Sequence, residues 1–303
     1  MALANPVPGA RFVDPKVLAR IGNLEFVAKT VVDGLINGTH RSPFFGASVD
    51  FAEHRGYVAG DDIRRVDWRV YARTDKYYIK EFEADSNANF TVLLDVSKSM
   101  GFGGDSISKL DYAKTLAACL AYLGNAQRDR VGLITFDEAV VHHVPPSAKH
   151  LDVVLHTLDK VEARKPGHLV GPLRKLAEHF GRRGIVIVIS DFYAEPEEVF
   201  DAVGPIRFRG NDVVLFHVLD PREIEFSFTD PSSFEDMESG DQMPIVPVKL
   251  AADYRRLVEA HIEALTKQAS QKQIDYMLLN TSMPLDFALF RFLSTRERLA
   301  RSR

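Results

Sequence analysis

The feature that most constrains this chain is a recurring run of apolar residues. "FTVLL" (90–94), "VGLITF" (131–136), "IVIVIS" (185–190), "DVVLFHVL" (212–219) and "DYMLLNT" (275–281) share it. None alternates cleanly with polar residues, so both faces of each strand must be buried. Segments with helical spacing lie between most of the runs, at 109–125, 149–161, 169–181, 195–208 and 249–272, and a last one covers 285–299. Short buried strands alternating with amphipathic helices predict an α/β fold. Its form is a doubly wound, mostly parallel sheet flanked by helices.

The first part of the chain reads differently. Residues 14–37 carry helical spacing, with Asp14 as N-cap, Pro15 at the first helical position, and Gly34 and Gly38 at the end. Residues 48–58, 62–72 and 76–83 show near-alternation and many aromatics, with "AGDD" as a turn. They predict short antiparallel strands. The expected division is 1–87, an N-terminal helix with a small β-rich segment, and 88–303, the sheet domain. Residues 222–247 interrupt the rhythm with Pro, Ser, Asp and Glu, and predict a surface excursion.

Composition narrows the function. Hydrophobic residues make up 46% of 303, enough for a real core. The net charge of −4 argues against a nucleic-acid binder that works by neutralising phosphates. Cys119 is the only cysteine and lies in the helical pattern "KTLAACLAYL", so a buried, inert thiol in a reducing compartment is expected. "MALANPVPGARF" has no apolar signal-peptide core, and no run approaches the ~20 residues of a membrane span. The expectation is a cytoplasmic protein with no direct membrane span.

Ligands of open α/β sheets bind at the carboxyl ends of the strands. One strand here ends in Asp95, Ser97 and Ser99, in "LLDVSKSM"; another ends in Ser190 and Asp191, in "VISDF". Carboxylates and hydroxyls gathered there suit a hard divalent cation such as Mg²⁺, with a position left open for an outside ligand. The alternative is local: an aspartate capping the next helix, with serines in a turn.

These residues resemble the von Willebrand factor A fold and its metal-ion-dependent adhesion site. The resemblance implies Asp95, Ser97, Ser99 and Asp191 as the metal site, with Asp191 completing the charge directly or through water. The family's loop threonine falls at His168, in "KPGHLVGPL". An imidazole there would suit Mn²⁺ better than Mg²⁺. Upstream, Tyr57, Gly60, Asp61, Asp62, Arg64, Asp67, Trp68, Ala72, Arg73 and Thr74 are similar to the signature of a bacterial family called domain of unknown function 58. That resemblance covers nearly the whole chain. It implies a partner or adaptor of MoxR-type AAA+ ATPases rather than an enzyme. Seven basic and seven acidic residues between Glu53 and Glu83 predict internal ion pairs bracing this segment, with Trp68 packed beneath it.

Enzyme readings fare worse. A haloacid dehalogenase-type phosphotransferase needs an aspartate where Ser97 stands. "GFGGDS" lacks the Lys-Ser/Thr of a P-loop, and no Gly-x-Ser-x-Gly elbow is present. His142 and His143 lack metal-ligand spacing and suggest a surface or strand edge, while His217 suits the core. The resulting expectation is a partner-binding module. A cation held by Asp95, Ser97 and Ser99 would meet a partner carboxylate, under a rim formed by loops 101–108, 167–171 and 192–196. A scaffold whose metal site has decayed at His168, and a metal-dependent hydrolase, are the alternatives.

Overall fold

The computed structural model describes residues 23–39, 51–58, 66–82, 88–103, 107–178, 180–181, 184–230 and 232–301. Its centre is a six-stranded sheet. The strands are β3 (Asn89–Asp95), β4 (Arg130–Phe136), β5 (Val140–Ser147), β6 (Gly184–Ser190), β7 (Asp212–Leu219) and β10 (Asp275–Asn280), in the order β10-β7-β6-β3-β4-β5. All neighbours pair in parallel except β4 and β5. The five apolar runs are the five parallel strands. The sixth, "VVHHVPPS", is mostly exposed and contains two prolines, so it lacked the doubly buried signature. Proline is tolerated at such an edge, and His142 and His143 do lie there.

Side chains alternate between two cores. Val92 and Leu94, Ile187 and Ile189, and Phe216 and Val218 face one. Leu93, Val186, Val188, Val213 and Leu215 face the other. The first core is covered by α1 (Leu24–Thr39), α3 (Lys109–Ala126), α4 (Leu151–Lys160) and α9 (Leu285–Arg301). The second is covered by α5 (Val170–Ala177), α6 (Pro196–Phe208) and α8 (Pro247–Gln271). The fold is therefore the expected doubly wound α/β sheet of von Willebrand A-like form. Cys119 is fully buried in α3, and burial pushes its thiol up to about 12. No helix among the described residues is long and apolar enough to cross a membrane.

The N-terminal region departs from expectation. Gly34 lies inside α1, whereas Gly38 stands one residue before its end at Thr39. Asp14 and Pro15 lie outside the described residues, as do Gly60, Asp61, Asp62 and Arg64 of the signature. β1 (Phe51–Gly56) and β2 (Tyr78–Phe82) form an antiparallel pair. Part of the stretch expected as a strand between them, 62–72, is instead helical: α2 (Trp68–Thr74). The reason is local. The Asp67 carboxylate accepts from the Arg69 and Val70 N–H groups and caps the first turn. Trp68 is 56% exposed rather than packed beneath the segment. Its ring meets Tyr71 edge-on, and Tyr71 stacks on Tyr77 with centroids 4.4 Å apart.

Candidate functional site

Counted from β3, the sheet order reverses between β3 and β6, where open α/β sheets place their ligands. Asp95 ends β3 and Ser190 ends β6. Both are buried there, and Ser190 Oγ donates to Asp95 Oδ2 at 2.7 Å. The Ser97 N–H donates to Asp95 Oδ1 at 2.9 Å, turning the chain sharply out of the strand. A 3-10 turn, Lys98–Gly101, follows and brings Ser97 Oγ to 3.1 Å from Ser99 Oγ. Asp95, Ser97 and Ser99 thus lie together in one tight turn, as the local, capping alternative also requires.

The loop after α4 closes one side. The Lys98 N–H donates to the Lys165 carbonyl at 2.7 Å. Gly167 lies so close to Ser97 that a Cβ on it would stand 2.1 Å from Ser97 Cβ. Only glycine fits this approach.

Electrostatics separate the two aspartates. Burial, with the charge of Asp191 added, pushes the Asp95 carboxyl up to about 7, against the pull of its Ser190 and Ser97 hydrogen bonds. No lysine or arginine bonds to it among the described residues. Asp191 has its own cation. Its Oδ2 accepts from Lys109 Nζ at 2.8 Å, and Lys109 also donates to Glu223 Oε1 at 2.7 Å. The ammonium is fully buried and lies 4.9 Å from the centroid of the Tyr193 ring. Burial works against its charge, but Asp191 and Glu223 outweigh it and hold the Lys109 pKa above the ordinary value. Glu223 is itself held in place: with Asp220 it forms a capping box at the start of α7 (Pro221–Glu225).

A further carboxylate reaches the turn from far along the chain. The 222–247 excursion contains a hairpin of β8 (Ser232–Glu235) and β9 (Gln242–Ile245). From its tip, Glu238 Oε1 accepts from the Ser99 N–H at 2.7 Å and Oε2 from the Gly167 N–H at 2.5 Å. The excursion is therefore part of the site.

His168 is exposed, and its Nδ1 faces the Gly171 N–H at 3.4 Å, at the start of its own helix α5. Among the described residues no group of three or more His, Cys, Asp or Glu side chains is gathered as metal ligands. The oxygens at the turn are the Asp95 carboxylate and the hydroxyls of Ser97, Ser99 and Ser190, the last already donating to Asp95, with the Glu238 carboxylate bonded to the turn's backbone. His217 is a buried core residue, as expected, with Nδ1 at 2.6 Å from the Tyr276 hydroxyl.

Sequence reasoning missed Lys109, Glu223 and Glu238. Lys109 carried a faint signal, because a lysine in the first turn of a helix opposes the helix dipole. Glu223 was readable as the fourth residue of "DPRE". Nothing local distinguished Glu238, in "DMESGD".

Among known proteins, "Uncharacterized protein Rv1480" of Mycobacterium tuberculosis is 29% identical over 292 residues, covering 94% of this chain and 91% of the relative. "Uncharacterized protein Mb1516" of Mycobacterium bovis shows the same identity and coverage. Among solved structures, BatB from Bacteroides thetaiotaomicron is 18% identical, with a TM-score of 0.48 over 70% of this chain and 99% of its own. The family described as "Protein of unknown function DUF58" matches residues 53–264. That span takes in both the Asp67–Trp68 signature and the Asp95 turn, and the chain belongs to the DUF58 family.

Proposed function

We propose that this chain is a non-enzymatic protein-interaction module that grips a partner's carboxylate at the turn after β3. One observation carries the reading: the Ser99 and Gly167 N–H groups already cradle a carboxylate, that of Glu238, beside Asp95, Ser97 and Ser99. Two backbone donors converging on a carboxylate make charge-assisted, orientation-selective bonds.

The donors at the turn fit a hard cation in part. Asp95, Ser97 and Ser99 would hold Mg²⁺ or Mn²⁺, the remainder of about six oxygens coming from water and the partner. A bound cation would supply positive charge for an incoming carboxylate. The observation favouring a cation is Asp95 itself, a buried carboxyl to which no basic side chain among the described residues is bonded. Asp191 stands one step back, with its charge answered by Lys109. His168 has no part in this reading. The partner proposed from the family resemblance is a MoxR-type AAA+ ATPase or its client, met in the cytoplasm.

A second reading, a scaffold that works without metal, is favoured by the Lys109–Asp191 pair, which places a cation beside the site permanently. Calorimetric titration of Mg²⁺ and Mn²⁺ into chelator-stripped protein, with Asp95→Ala beside it, separates the two. Saturable binding lost in the variant supports the metal-bridged module. No binding by the wild type, with partner capture intact in chelator, supports the scaffold.

A further inference from the structure

The excursion at 222–247 is built to hold one side chain in place. Asp236 Oδ1 accepts from the Glu238 N–H at 2.7 Å and the Ser239 N–H at 3.1 Å. The Gly240 N–H donates to the Asp236 carbonyl at 2.7 Å, and Gly240 takes φ +78°. These bonds fold the tip so that Glu238 reaches Ser99 and Gly167 together. Beside it, Lys98 Nζ lies 3.9 Å from Glu235, and a Cβ on Gly101 would stand 4.0 Å from Met237 Cε. At the base, Phe234 stacks with Phe226 and meets Phe228 edge-on, while Phe226 lies 4.4 Å from Tyr254 of α8.

A ribbon with two strands of four residues has little stability of its own. Its position depends on the aromatic base and on the Glu238 clamp.

We propose that Glu238 is an internal ligand of the site, and that the partner is recognised by an acidic side chain on an exposed turn that displaces it. The inference rests on the carboxylate-site reading above. Glu238 marks the geometry the partner must reproduce: one carboxylate reaching two N–H groups that lie in different loops. Because the internal carboxylate is tethered, the partner's apparent affinity is its intrinsic affinity multiplied by the fraction of molecules with the clamp open. Rim loops and hairpin tip then act together, and a partner that captures Glu238's place also frees the hairpin.

Amide NMR on the full chain tests this, with N-acetyl-L-glutamic acid α-amide as the probe, in millimolar Mg²⁺ and again in chelator. Glu238→Ala is expected to shift the Ser99 and Gly167 amides and those of 236–241. It should also tighten probe binding at Ser99 and Gly167 by about tenfold or more, as for a clamp closed in at least nine molecules of ten. Asp236→Ala, which undoes the turn but keeps Glu238, should tighten it in the same direction. Equal affinity for wild type and Glu238→Ala would overturn the internal-ligand proposal and leave the carboxylate site standing. Hairpin amides unmoved by Glu238→Ala would overturn it as well. A released hairpin with no probe bound by any variant would sink the carboxylate site itself, and the proposal with it.

Discussion

Lys109 Nζ sits 2.8 Å from Asp191 Oδ2 and 2.7 Å from Glu223 Oε1, with none of its side chain exposed. A residue at the start of the helix after β3 thereby answers the charge at the end of β6 and braces the capped turn after β7. Replacing Lys109 by Met keeps the length but leaves two carboxylates without their cation. Breaking a buried pair in this way costs on the order of 3–5 kcal/mol. Urea unfolding of Lys109→Met should show a loss of that size, partly recovered in Lys109→Met/Asp191→Asn. A loss within experimental scatter would mean the pair does not hold these strand ends together.

Gly167→Ala should act more locally. Its Cβ would meet Ser97 Cβ at 2.1 Å and Ser97 Cα at 3.2 Å, contacts that no side-chain rotation can relieve. Overpacking of this kind costs about 1–3 kcal/mol. The loop must move off Ser97, taking the Gly167 N–H away from Glu238. Protease cleavage within 236–241 should therefore accelerate in a protein whose sheet stays folded. Unchanged cleavage would show that Gly167 does not help hold the hairpin.

Asp95 makes metal-free stability depend on pH in an uncommon direction. Its folded carboxyl titrates near 7, above the ordinary value of 3.8. Between those values the folded chain holds a proton that the unfolded chain has released. Its contribution to stability is full below about pH 4 and declines as pH rises to about 7, by a few kcal/mol at most. In chelator, Asp95→Asn should remove this decline and unfold at higher urea than wild type at pH 8. The same comparison at saturating Mg²⁺ should favour the wild type if Asp95 holds the cation.

His217 works in the opposite sense. Burial holds its imidazole neutral, with a pKa down at about 3 rather than 6.5. The unfolded chain takes up a proton on acidification before the folded one does. The stability associated with His217 is complete above about pH 6.5 and declines as pH falls towards 3. His217→Gln should flatten this acid limb and leave the Asp95-dependent decline unchanged, which resolves the two by variant rather than by pH.

Trp68, the only tryptophan, is more than half exposed on α2. Its fluorescence should sit at the red, water-exposed end and be quenched freely by acrylamide. A blue, protected emission would restore the packed position expected from the signature.

The sequence by itself determined the sheet. Five apolar runs separated by helical segments had to pair as parallel strands, four inside the sheet and β10 at its edge, and Asp95, Ser97 and Ser99 had to fall where one of them ends. Asp67 shows where pattern reading fails: alternation suggested a strand, but a single carboxylate capping two N–H groups tips the stretch after it into a helix. The edge strand β5 was hidden because exposure and prolines erase the apolar signal. Only the tertiary structure decided the charges of the site. Lys109 meets Asp191 across 82 residues, and Glu238 meets Ser99 across 139. Contacts at such separations leave no local pattern, because they are set by which strands lie side by side and by where a hairpin comes to rest.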